Sequence, residues 1–226
     1  MSNYWEGGNN MKNKMNERLE ILVIEDTPKH VWSARMLLGK EHNLSIASDY
    51  KEGMEYLNSR KHYDVLLTDM MFPFGDCKST KDTLEARPLG YAIGLYAARP
   101  FVCVPLIGIL TDLNHHSNAI GATFDDFRGP RKGIPTDRLS TEPGKYFGLE
   151  DELLLGSDVS SDARPVFSIN KSKLVMFDER DSDELYKVND KICSYGGLPK
   201  GLTSNQIKEM EVKDWKFVLD QLLSLQ

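Results

Sequence analysis

Apolar residues fall along the first half of the chain in short, nearly unbroken runs separated by amphipathic stretches. Leu19, Ile21, Leu22, Val23 and Ile24 form the first run, which ends in Glu25 and Asp26. Runs of this kind predict parallel strands covered on both faces. Thr27 and Pro28 then read as a helix start, with threonine as cap and proline at the first helical position. Val31, Ala34, Leu37 and Leu38 continue with helical spacing until Gly39. A strand over 44–48 and a helix over 51–60 follow, with Met54 and Leu57 turned inward. Residues 63–69 repeat the buried-strand pattern and end in Asp69. A helix over 90–99 leads to a fourth strand, 104–110, which runs into Thr111 and Asp112. This β-α-β-α-β-α-β rhythm predicts a parallel sheet with helices on both faces.

Beyond residue 112 the rhythm loosens. Residues 114–127 are readable as one helix, whereas 128–164 contain five glycines and three prolines without a sustained period. Residues 166–170 and 173–178 read as two short strands able to form a hairpin. In the final stretch, 212–225, Trp215, Val218, Leu219, Leu222 and Leu225 recur on one helical face that would cover the sheet. The predicted class is α/β, a doubly wound five-stranded parallel sheet of flavodoxin-like type with insertions and an extra hairpin. Residues 1–18 read as a flexible polar tail. Residues 19–226 read as one domain with insertions at 74–89 and 128–164 and an elaborated region at 172–212.

Composition narrows the function. The 226 residues carry 28 basic and 34 acidic side chains, a formal charge of −6, and are 40% hydrophobic. That is enough apolar material for a core, and the acidity argues against a surface tracking many phosphates, so no direct nucleic-acid contact is expected. The three cysteines, Cys77, Cys103 and Cys193, form no CxxC pair, which fits a reduced, cytoplasmic setting. The longest apolar stretch, 101–110, contains Pro105 and Gly108 and is too short to span a bilayer.

In a doubly wound sheet the carboxyl ends of the strands share one crevice, where ligands bind. Glu25, Asp26, Asp69, Thr111 and Asp112 all stand at such ends. Gathered carboxylates repel one another, so the set calls for a cation, and oxygen ligands with few carboxylates suit Mg²⁺. Any one of these acids alone reads more simply as a turn or cap residue; the set in this order carries the expectation.

The segments ILVIEDTPKH, YDVLLTDMMFP and PLIGILTD together resemble the receiver domains of two-component response regulators. The resemblance implies that Glu25 and Asp26 hold Mg²⁺, with Asp69 and the backbone carbonyl of Met71 as further ligands. Asp69 would be the phosphoryl acceptor, and Thr111 the hydroxyl that turns to the phosphate. Pro73 stands where the family commonly has its proline. A lysine is also implied beyond the fifth strand; Lys171, at the end of 166–170, is preferred here, with Lys173 and Arg128 as alternatives. Phe167 is the nearest aromatic to a switch position, with a core side chain as the plainer reading.

The resemblance further implies a stand-alone signalling protein, phosphorylated on Asp69 with Mg²⁺ and acting through protein contact. Its partners would be a histidine kinase or phosphotransfer protein, a downstream protein and a second copy in a homodimer. Its only catalysis would be self-phosphorylation from small donors and autodephosphorylation. Two alternatives stay open. One is a pseudo-receiver that binds partners unphosphorylated; the other is an aspartate-dependent phosphatase, against which the missing DxD pair weighs. His115 and His116, beside Asp112, offer metal ligation or a pH-sensing contact, with simple helix-start capping as the plainer reading.

Overall fold

The computed structural model describes residues 18–75, 88–110, 166–177, 182–188, 203, 205–206 and 210–226. Its first three crossovers follow the expected rhythm. Strand β1 (Glu20–Ile24) leads through helix α1 (Pro28–Leu38) to β2 (Asn43–Ala47). Helix α2 (Tyr50–Leu57) precedes β3 (Val65–Asp69), and α3 (Leu89–Ala97) precedes β4 (Leu106–Leu110). Strands β5 (Val166–Ile169) and β6 (Ser172–Phe177) form a hairpin. A short helix α4 (Ser182–Leu185) runs into β7 (Tyr186–Val188), and β8 (Glu211–Lys213) into the closing helix α5 (Trp215–Leu223).

The main sheet has the order β2-β1-β3-β4-β6-β5. The first five of these strands are parallel, and β5 is added antiparallel at the edge. The parallel part therefore has the flavodoxin-like order 2-1-3-4-5. Thus the fifth parallel strand is the second arm of the hairpin, not the first. Strands β7 and β8 pair with each other in a separate two-stranded ribbon.

Strand periodicity divides the core in two. Leu22, Ile24, Leu66, Ile107, Ile109, Leu174 and Met176 face one side, where α2 and α3 bring Leu57, Tyr91 and Ile93. Ile21, Val23, Val65, Leu67, Leu106, Leu110, Val175 and Phe177 face the other. There α1 brings Ala34 and Leu38, and α5 brings Trp215, Val218, Leu219 and Leu222. Each such fully buried side chain contributes roughly 1.5–3 kcal/mol of transfer free energy. Gly108 lets α5 lie close over β4, since a Cβ there would sit 3.1 Å from both Leu222 Cδ1 and Val218 Cγ1. Among the described residues, no helix is long and apolar enough to cross a membrane.

Register brings the strand ends level. Asp69 pairs with Leu110, and Leu110 in turn with Phe177. The ladder extends past the strands through Glu25 N–H to Ala47 O (2.9 Å) and Met70 N–H to Leu110 O (2.7 Å). Those bonds fix the backbone that carries both Glu25 and Asp69.

Candidate functional site

Glu25 and Asp69 continue the alternation of Val23 and Leu67, so both belong to the α1/α5 side of the sheet. Their burial is almost complete. The turn after β1 holds Glu25 by one oxygen: Oε1 accepts from Thr27 N–H at 3.0 Å. Asp69 Oδ1 accepts from Met70 N–H at 2.8 Å. Asp26, next in the chain, is exposed at the mouth of the crevice. Glu25, Asp26 and Asp69 each present a carboxylate oxygen, and the three atoms lie within 4.8 Å of one another.

Between the two buried acids sits the ammonium of Lys213. Its Nζ lies 2.7 Å from Glu25 Oε2 and 2.9 Å from Asp69 Oδ1. The same Nζ stands 5.6 Å from the centre of the Trp215 ring. Burial works against this charge, but Asp69 and Glu25 outweigh it and hold the lysine's pKa above its ordinary value. Glu25 responds the other way. Its burial, reinforced by the charge of Asp69, overcomes the attraction of Lys213 and pushes its pKa up to about 7.

Lys213 corrects the expectation of Lys171. Asn170 and Lys171 form the two-residue turn between β5 and β6, with Asn170 at φ 54°, a conformation asparagine tolerates. Asn170 Nδ2 donates to Ala98 O (2.9 Å), and Lys173 N–H to Pro105 O (2.8 Å). The turn therefore lies at the amino ends of β4 and β6, and Lys171 is exposed there. A strand running antiparallel delivers its last residue to the opposite end of the sheet from Asp69. Lys173, opposite Leu106, is likewise at that far end.

Lys213 was hidden because residues 212–225 read as one amphipathic helix. In the structure the helix starts at Trp215, and Glu211–Lys213 is a strand. Asp214 is the N-cap, accepting from Phe217 N–H at 3.0 Å. Asp214, an aspartate directly ahead of the first stripe residue Trp215, was the available signal that residue 213 lies outside the helix.

Met71 is half-buried, two residues beyond Asp69, and Pro73 continues the same turn. Pro73 O and Phe74 O accept from Tyr50 N–H and Lys51 N–H at 3.0 and 3.1 Å, which fastens this turn to the start of α2. Gly90 packs from the other direction: a Cβ there would fall 2.3 Å from Asp69 O. Thr111, His115, His116, Cys77 and Arg128 lie outside the described residues, as does the helix expected over 114–127. Of Phe167, the backbone pairs with Leu174 in the hairpin.

The donor set fits a hard divalent cation. Three carboxylates and one ammonium sum to a formal −2, which one such ion neutralises. Octahedral Mg²⁺ places its oxygens roughly 3 to 4 Å apart, compatible with three atoms that all lie within 4.8 Å of one another, and Asp26 is exposed to solvent.

No protein-family model matches the chain, and no curated protein sequence does. Many of the solved structures similar to it are response regulator receiver domains. The chemotaxis response regulator CheY4 of Vibrio cholerae is 15% identical, over 46% of this chain and 77% of that one, with a TM-score of 0.33. The receiver domain of a Francisella response regulator is 20% identical over 59% of this chain and 100% of its own, with a TM-score of 0.34. A receiver domain of a sensor histidine kinase from Pseudomonas aeruginosa PAO1, with magnesium coordinated in its active-site cleft, is 21% identical. It aligns over 58% of this chain and 98% of its own, with a TM-score of 0.34.

Proposed function

We propose that the chain is a response-regulator-like signalling protein that takes a phosphoryl group onto Asp69. The observation that carries this reading is the ion-paired cluster at the strand ends, where Lys213 joins Asp69 and Glu25 beside exposed Asp26. A carboxylate oxygen of Asp69 attacks the phosphorus of a phosphohistidine or of a small acyl phosphate. The new P–O bond forms as the donor's P–N or P–O bond breaks, and the leaving group departs with the electron pair. Glu25, Asp26, Asp69 and the Met71 carbonyl would hold Mg²⁺, which supplies positive charge against the phosphoryl oxygens. Lys213 places a second, permanent positive charge beside the acceptor, where a buried cation acts strongly on developing negative charge.

Phosphorylation adds negative charge to a crevice that holds the Lys213 ammonium, and Thr111, directly after β4, is the hydroxyl proposed to answer it. The signal then passes by protein contact to a downstream protein, with a histidine kinase or phosphotransfer protein as donor, in the cytoplasm. Against the pseudo-receiver alternative weighs the Lys213 ammonium 2.9 Å from Asp69 Oδ1; the long insertions at 74–89 and 128–164 weigh for it.

Incubation of the full chain with Mg²⁺ and acetyl phosphate tests the reading by intact mass. The mass of one phosphoryl group should appear, and Asp69→Asn should abolish it. A wild-type chain whose mass stays unchanged with acetyl phosphate, phosphoramidate and carbamoyl phosphate would refute it.

A further inference from the structure

Lys213 does not sit in the main sheet, where ladder bonds on both sides would set its backbone. It ends a ribbon strand whose described pairing is with β7 alone. What meets its peptide groups instead is helix α1. Lys213 N–H donates to His30 Nδ1 at 3.1 Å, and Ser33 Oγ donates to Lys213 O at 3.0 Å. The single Ser33 hydroxyl hydrogen is shared with His30 O at 2.8 Å, and His30 O also accepts from Trp215 Nε1 at 2.9 Å. His30, Ser33, Lys213 and Trp215 are all buried. Both the donor and the acceptor of the lysine's own backbone are thus met by two side chains one helical turn apart, 183 and 180 residues earlier in the chain.

We propose that His30 and Ser33 are positioning residues, and that their clamp on the Lys213 backbone sets the ammonium between Glu25 and Asp69. The requirement on His30 is specific. Nδ1 must keep its lone pair to accept from Lys213 N–H, so the ring is neutral with its proton on Nε2. Burial, with the nearby charges of Lys213 and Lys29, pushes the imidazole pKa down to about 3, which keeps that lone pair available at neutral pH. Asparagine can present its side-chain oxygen near the position of Nδ1, whereas alanine leaves the Lys213 N–H without an acceptor in a buried place. The importance of this clamp for phosphoryl transfer rests on the function proposed above; the clamp itself does not.

Two readouts on the full chain separate those matters. The first is the proton–nitrogen NMR signal of the Lys213 ammonium, assigned by its loss in Lys213→Met, together with the nitrogen signals of His30. Wild type should show a slowly exchanging ammonium and a His30 that carries its proton on Nε2 and does not titrate between pH 5 and 8. His30→Ala and Ser33→Ala should broaden or displace the ammonium signal, and His30→Asn should restore it. Leu38→Ala, which opens the same helix's buried face without touching the clamp, should lower stability and leave the signal in place.

The second readout is the initial rate of phosphorylation by acetyl phosphate with Mg²⁺. His30→Ala should slow it by on the order of tenfold to a hundredfold, the scale of a misplaced charge. His30→Asn should recover most of the rate, and His30→Ala should add nothing to Lys213→Met. The proposal is overturned if His30→Ala leaves the ammonium signal unchanged, or if Leu38→Ala disturbs it equally. It is also overturned if His30 titrates near its ordinary value, or if the wild-type ammonium exchanges as fast as an exposed lysine. A chain that accepts no phosphoryl group but shows the expected ammonium behaviour refutes the proposed function and leaves the clamp standing.

Discussion

Replacing Glu25 with glutamine should remove a pH dependence that the metal-free chain carries in its crevice. The folded-state pKa of Glu25 is about 7 against an ordinary 4.5, because burial and the charge of Asp69 outweigh Lys213 and the Thr27 N–H. Below 4.5 both folded and unfolded chains hold the proton, and the group's contribution is at its most favourable. Between 4.5 and 7 the unfolded chain releases the proton while the folded chain keeps it, so stability falls as pH rises. Above 7 both are ionised and the loss is complete. The gap of 7 − 4.5 = 2.5, at 1.36 kcal/mol per pH unit, amounts to about 3 kcal/mol. Glutamine keeps the side-chain length and an oxygen for Thr27 N–H, but cannot ionise. Urea unfolding in chelator, from below 4.5 to above 7, should therefore show the wild type losing about 3 kcal/mol relative to Glu25→Gln. Added Mg²⁺ should shrink that loss, since a bound cation favours the ionised form. A difference that stays flat, or that grows in the wild type's favour as pH rises, would mean Glu25 is ionised throughout and would refute the reasoning.

Three further outcomes follow from the same geometry. Lys213→Met leaves two buried carboxylates facing each other and should cost roughly 3–5 kcal/mol in the metal-free chain. Mg²⁺ should recover more of that stability than it adds to the wild type, measured as a larger rise in Tm. Gly90→Ala drives a Cβ to 2.3 Å from Asp69 O, a backbone atom, whereas Gly94→Ala meets the mobile Ile109 Cδ1 at 3.0 Å. The first should destabilise by about 1–3 kcal/mol and slow phosphorylation, and the second should do less on both counts. Asp214→Ala removes the cap of α5 and should cost about 1 kcal/mol by urea unfolding.

Those expectations draw unequally on what the sequence displays. The acids at the strand ends were legible because strand, burial and polarity change together there: β1, β3 and β4 are apolar runs, and the polar residue that follows each must lie at the sheet's edge. Glu25, Asp26 and Asp69 come together as that pattern predicts. The hairpin over 166–177 was also legible, but not which arm continues the parallel sheet. Both arms are short and apolar, and their choice depends on pairing with β4, more than fifty residues earlier. Lys213 was lost for a different reason. A three-residue strand has too few positions to show period two, and Val212 blends into the helical stripe that begins at Trp215. The clamp leaves still less trace. A histidine and a serine at i and i+3 on an amphipathic helix are ordinary, and their partner is 183 residues away for His30 and 180 for Ser33.

A core selected for stability alone would not end this way. Replacing a buried set of charges by well-packed apolar side chains is often neutral or stabilising by about 1–4 kcal/mol, because desolvation takes back most of the Coulombic gain. Here the α1/α5 side of the core is apolar from Leu19 to Val23 and from Val65 to Leu67, then closes at its carboxyl end with Glu25, Asp69 and Lys213. The three are held by turn, strand and ribbon respectively, and the ribbon is braced by two further buried polar residues of α1. Five polar side chains spent on one end of one core layer are hard to account for by folding. They are accounted for if a carboxylate, a neighbouring acid for a metal and a fixed ammonium must meet at one point. The near-complete burial of Lys213 and Glu25, with Asp26 left at the surface, suits the proposed phosphoryl acceptor: a paired ammonium and carboxylate held beside an acid that solvent reaches.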